Sequence, residues 1–116
     1  MRLKLTLALL AIVTSAFAAD MNGSWALSVD TPNGKFESTA DLKQDGEKIS
    51  GTVHNQFGDS PVTGAIKDND VTLIQKADFN GQSVTITYTG KVDDKKITGK
   101  FKFGDQGEGD FTAEKK

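Results

Sequence analysis

The chain has 116 residues, 36% of them hydrophobic, with a formal net charge of −2 and no cysteine. That is enough for one domain with its own core, and it leaves no residue for a disulfide framework or for a lipid attached through a thiol. A single arginine among 14 basic residues argues against a nucleic-acid partner, which calls for clustered and usually arginine-rich positive charge.

At the start, Arg2 and Lys4 flank an apolar run over residues 5–13 that only Thr6 interrupts. Ala16-Phe17-Ala18 then supplies the small-x-small pattern at which export signals are cut. The run is too short and wrongly flanked for a membrane span, and it has no polar face for a buried helix. The expectation is a signal peptide over residues 1–18, cut after Ala18, and a periplasmic or secreted domain over 19–116. Without Arg2 and Lys4 those 98 residues carry 12 lysines against 16 carboxylates, a net of −4.

Beyond the leader every apolar pattern has period two, the mark of half-buried strands. Trp25, Leu27 and Val29 alternate with Ala26, Ser28 and Asp30. Asn33-Gly34 suits the positive φ angles of a hairpin turn. Residues 35–43 then turn Phe36, Ala40 and Leu42 one way and Glu37, Asp41 and Lys43 the other. Asp45-Gly46 leads into residues 48–55, with Ile49, Gly51 and Val53 inward, and residues 61–67 place Val62, Gly64 and Ile66 on one face. Asp68-Asn69-Asp70 is turn chemistry. Val71, Leu73 and Gln75 face inward next, with Ile74 an exposed apolar side chain. After Asn80-Gly81, residues 82–92 send Val84, Ile86, Tyr88 and Val92 inward. Ile97, Gly99, Phe101 and Phe103 line a seventh strand, and Phe111 and Ala113 an eighth.

Two of these strands are near copies 48 residues apart: Lys48-Ile49-Ser50-Gly51 and Lys96-Ile97-Thr98-Gly99. Each follows an acidic turn and leads to Phe-Gly-Asp, at 57–59 and 103–105, and Asn33-Gly34 is matched by Asn80-Gly81. The fold class expected is all-β, an eight-stranded antiparallel up-and-down meander built as two similar four-strand halves. It forms a closed or flattened β-barrel, since closure removes both sheet edges. Gly51, Gly64, Gly99, Gly107 and Gly109 are expected inside strands, at bulges or bends.

Gly23-Ser24-Trp25 at the head of such a meander resembles the Gly-x-Trp opening of lipocalins, fatty-acid-binding proteins and avidins. The phrases at 42–52 and 84–90 are similar to those of small secreted bacterial β-barrel proteins of unassigned function. The lipocalin resemblance implies a late basic residue packed on the tryptophan, for which only Lys115 or Lys116 is available. Avidins carry further tryptophans around their ligand; this chain has one, so no biotin site is implied.

An eight-stranded barrel holds either packed side chains or one small ligand. The large inward residues are Trp25, Phe36, Tyr88, Phe101 and Phe111. Small ones, such as Ser38, Ala40, Gly51 and Gly99, either leave a cavity or let the sheet curve tightly. A cavity would take a small apolar molecule, lined by Trp25, Phe36, Gln75, Tyr88, Phe101 and Phe111, with the Tyr88 hydroxyl or the Gln75 amide orienting it. Tyr88 as core, its hydroxyl at the barrel mouth, is the simpler reading.

Catalysis has little to stand on. His54, with Asp59 and Ser60 a turn away, lacks the convergent geometry and oxyanion hole of a hydrolytic triad and reads as a solvated side chain. No cofactor is implied. The weak metal candidates are Asp105, Glu108 and Asp110 in a glycine-rich turn, because calcium takes clustered oxygens, but they match no ligand spacing. The function expected is therefore an exported, non-enzymatic barrel binding a small apolar ligand inside. The alternative is an accessory module with a solid core that meets a protein or polysaccharide.

Overall fold

The structure, a computed structural model, describes residues 20–31, 34–79, 81–105 and 107–116. The expected export segment and the turn residues Asn33 and Asn80 lie outside them. Eight antiparallel strands close into a single barrel in chain order. They are β1 Gly23–Thr31, β2 Gly34–Asp45, β3 Lys48–Asn55, β4 Gly58–Lys67, β5 Asp70–Phe79, β6 Gln82–Asp93, β7 Lys96–Phe103 and β8 Glu108–Lys115. Each pairs with the next, and β8 returns to β1 in a register running from Trp25↔Lys115 to Val29↔Phe111.

The sequence repeat is a structural repeat. β2 and β6 are each 12 residues long, β3 and β7 each 8, and both pairs have bounds 48 residues apart. The turns between them match as well. Gly46 has φ 65° and its counterpart Asp94 φ 60°, a left-handed conformation that glycine adopts freely and aspartate tolerates. Some boundaries differ from expectation. β2 runs from Gly34 to Asp45 rather than over 35–43, β4 starts at Gly58 rather than at 61, and Gly107 precedes β8 instead of lying within it.

The period-two faces resolve as the alternation requires. Buried residues include Trp25, Leu27, Ala40, Leu42, Ile49, Val53, Val62, Ile66, Val71, Leu73, Val92 and Ile97, while Ile74 is exposed. Gly51 and Gly99 occupy matching positions where a neighbouring strand comes very close. A Cβ there would stand 1.9 Å from the Asp41 carbonyl oxygen and 2.0 Å from that of Thr89, respectively. Only a residue without a Cβ permits so close an approach of neighbouring strands.

One end of the barrel, carrying the 45–48, 67–70 and 93–96 turns, is plugged. Met21 is fully buried there, and the Trp25 indole Nε1 donates to its carbonyl at 3.0 Å. The Met21 amide in turn donates to Gln44 Oε1 at 2.7 Å. Lys115 lays its Nζ 5.8 Å from the Trp25 ring centroid and donates to the Asp20 carbonyl at 3.1 Å. Trp25 thus has a backbone acceptor for its only donor, a cation near its ring and 1% exposure. Such a group buries a large apolar surface without leaving a polar atom unsatisfied.

Replacing Gly51 or Gly99 by alanine should cost about 3 kcal/mol in each case, the scale of forced overpacking in a tight core. Chemical denaturation of the two single variants checks this. A loss at only one position would contradict their equivalence.

Candidate functional site

At the other end, between the 31–34, 55–58, 79–82 and 103–108 connections, the barrel is open. A cavity of about 380 Å³ descends from this mouth into the interior, within the range of small-molecule sites. Its wall is chiefly apolar: Leu27 and Val29 from β1, Ile86 from β6, Phe101 and Phe103 from β7. These side chains point inward for the same reason as the core does, through alternation. They belong to or pack against the core, and on one side they face the space that the plug at the opposite end leaves open.

Two polar side chains of the lining, Gln75 and Tyr88, are joined in one group with Ser60. The Tyr88 hydroxyl donates to Gln75 Oε1 at 2.6 Å, and Gln75 Nε2 donates to Ser60 Oγ at 3.2 Å. Gln75 is 1% exposed and Ser60 6%. Among the described residues no buried side-chain nitrogen or oxygen lacks a hydrogen-bond partner. Burial pushes the Tyr88 phenol above its ordinary value of 10.0, so it is neutral at any physiological pH. Its ring meets that of Phe111 edge to face, centroids 5.2 Å apart.

The rim is aromatic. Phe57, in the turn between β3 and β4, is 58% exposed and stacks on Phe36 at 5.5 Å and 23°. Asn55 shapes this turn by accepting from the Phe57 amide at 2.9 Å through Oδ1. It also reaches Ser38 Oγ with Nδ2, at 3.4 Å.

Of the six residues expected around an interior ligand, Phe36, Gln75, Tyr88 and Phe101 line the cavity. Trp25 does not, because it belongs to the plug. Phe111 does not either: it packs against Tyr88 at 2% exposure. The Tyr88 hydroxyl lies on Gln75 inside the barrel, not at the mouth. Sequence reading missed Ser60 and Phe57 as site residues. The first was legible in principle, since Ser60 shares a face with Val62 once β4 is extended back to Gly58.

His54 sits on the outer wall with both ring nitrogens engaged, Nδ1 at 2.7 Å from Asp59 Oδ1 and Nε2 at 2.9 Å from Asp41 Oδ2. Asp41 also accepts from the Ser24 hydroxyl. Hydrogen bonds to Asp59 and then Asp41 raise the His54 pKa above 6.5. Those from Ser24 and then His54 lower that of Asp41 below 3.8. Both ring nitrogens are turned to carboxylates and neither to a nucleophile, and Ser60 points to the opposite face of the sheet. The three residues therefore do not form a triad. The acidic metal candidates are not gathered either. Asp110 pairs with Lys100 across the β7–β8 ladder, and Glu108 stands opposite Lys102. Among the described residues no three His, Cys, Asp or Glu side chains are placed to share an ion.

No protein-family model matches this chain, and no curated protein matches it either.

The outer-wall cluster gives a pH signature with a definite sign. His54 has a raised folded pKa, so its stabilisation is complete below 6.5 and is lost as pH rises through that raised value. Asp41 has a lowered one, so its stabilisation is complete above 3.8 and is lost on acidification. Melting temperature should therefore be highest between those limits and fall gently above them, and His54→Asn should remove the alkaline part of the fall. A wild-type profile that is level from neutral to mildly alkaline pH would contradict the cluster. The effect should shrink with added salt, because the pairs are exposed.

Proposed function

We propose that this is an exported, non-enzymatic carrier or sensor barrel that holds a small apolar molecule in its interior, entered from the mouth beside the stacked rings of Phe36 and Phe57. The observation that carries the reading is the shape of the interior. One end is sealed by Met21, Trp25 and Lys115, while the other opens into about 380 Å³ of mostly apolar space. A core built only for stability is close-packed, with few voids larger than a water molecule. A cavity of 150 Å³ already holds benzene, so this one suits a molecule of about two fused rings or a short branched chain.

The setting proposed is the periplasm or the medium, after cleavage of residues 1–18. Its support is the leader pattern together with an outer wall of exposed Lys76, Lys91, Lys100 and Lys102 among threonines and aspartates. Phe57 and Ile74 are the large apolar side chains exposed among the described residues, whereas a lipid-facing barrel carries a tall outer apolar band. The Gly-x-Trp resemblance fits the Trp25–Lys115 contact, and on that footing we place the chain beside the lipocalin-like barrels in design.

Two measurements test this. Native mass spectrometry of protein recovered from its exporting host should find a chain beginning at Ala19 with a retained small molecule. Ser38→Phe, which puts a ring into the cavity from β2, should weaken binding of naphthalene derivatives at least tenfold. It should leave the melting temperature unchanged or higher. Undiminished binding in that variant would move the site elsewhere.

A further inference from the structure

We infer that the interior site selects a neutral molecule bearing one carbonyl or hydroxyl group and rejects carboxylates, an inference that rests on the interior-ligand reading above. It starts from what the Ser60–Gln75–Tyr88 group leaves unused. The phenol gives its only proton to Gln75 Oε1, and the amide gives one of its two protons to Ser60. One amide N–H and the lone pairs of the phenol oxygen remain on the two side chains that line the cavity. Both are neutral. A carbonyl oxygen takes the amide proton; a hydroxyl takes that proton and can donate its own to the phenol oxygen.

Charge is excluded by the same surroundings. Among the described residues Lys35 is the one cation in the cavity lining. It stands at the mouth with its side chain 67% exposed and its Nζ 2.8 Å from Asp30. Lys115, opposite Trp25 in the β1–β8 register, serves the plug at the far end. A carboxylate drawn down to Gln75 would give up its water with no ion to replace it, the most costly way to bury a polar group. The same burial pushes the Tyr88 phenol above its ordinary value of 10.0, the direction in which a dry surrounding disfavours an anion. The rest of the ligand should be flat and apolar. The stacked rings of Phe36 and Phe57 form one side of the entrance, and Phe101 and Phe103 are the further aromatic members of the lining.

Three ligands of one shape separate the possibilities: 2-acetylnaphthalene, 2-isopropylnaphthalene and 2-naphthoate. They present a ketone, a hydrocarbon and an anion on the same ring system. Dissociation constants from NMR titration at pH 7 should rank the ketone first, the hydrocarbon about tenfold weaker and the carboxylate at least a hundredfold weaker than the ketone. These steps match one hydrogen bond and one unpaired buried charge. Naphthoate should bind better as pH is lowered toward protonation of its carboxyl. Gln75→Met should bring the ketone down to the hydrocarbon's level in the same variant. Equal binding of ketone and naphthoate, or of ketone and hydrocarbon, would overturn the assignment of ligand class and leave the interior site standing. So would a ketone preference that survives Gln75→Met. Failure of all three to bind would overturn the interior-ligand reading itself, and this inference with it. The wild-type ranking decides the matter even if the Gln75 variant does not fold.

Discussion

Everything in this molecule depends on β8 finding β1. A meander of eight strands has two raw edges, each a row of unpaired N–H and C=O groups that invites association with other chains. The register from Trp25↔Lys115 to Val29↔Phe111 removes both edges at once. The same register does two further things. It carries Lys115 onto the Trp25 ring, where the cation and the buried indole cap one end, and it carries Phe111 inside, where its ring supports Tyr88. Closure, the plug and the back of the cavity are consequences of one pairing. The position of the cavity follows, because an interior sealed at one end and lined by inward side chains can be reached only from the other.

The duplication explains how such an object arises from little information, and where its two halves part company. The shift of 48 residues maps Gly51 onto Gly99 and the Gly46 turn onto the Asp94 turn, so the bends and reversals are shared. The same shift maps Leu27 onto Gln75, Ala40 onto Tyr88 and Trp25 onto Leu73, while the two Phe-Gly-Asp phrases stand two residues out of that shift, so that Phe57 lies in a turn and Phe103 ends a strand. The shared positions are those that close approach and tight turning demand. The unshared ones make the plug, the polar group in the interior and the aromatic rim. One copy supplies Trp25 for the sealed end and Phe57 for the open one, and the other supplies the amide and the phenol.

Strand number, order and facing were legible because alternation is a local property. Each residue's face is set by its neighbours two places away, and turn chemistry marks the ends. Height along the barrel axis is not local. Trp25, Phe111 and Tyr88 all read as inward, yet one plugs an end, one packs behind and one lines the void. The stagger of eight strands decides which, and no period encodes the stagger. The meeting of Ser60, Gln75 and Tyr88 was hidden for the same reason, since it needs the β4–β5 and β5–β6 registers together. His54 shows the same limit on the outside. Its polar face was evident, but the carboxylates on both sides of its ring come from the two neighbouring strands.

The buried polar group is the feature that stability alone does not require. Gln75 is almost wholly enclosed, and enclosing an amide and a phenol gains at best about 1 kcal/mol per hydrogen bond over leaving them in water. Replacing a satisfied buried polar network by apolar side chains of like shape is often neutral or favourable. This fold supplies the comparison internally, because the first half carries Leu27 and Ala40 at the corresponding positions and forms equivalent strands. An amide and a phenol are thus additions to a scaffold that works without them, and they stand beside space that no side chain fills. Such groups fix orientation where binding occurs in an otherwise featureless apolar wall. Their placement at the cavity, and not against the plug or in the packed layers near it, is the placement that the proposed interior ligand calls for.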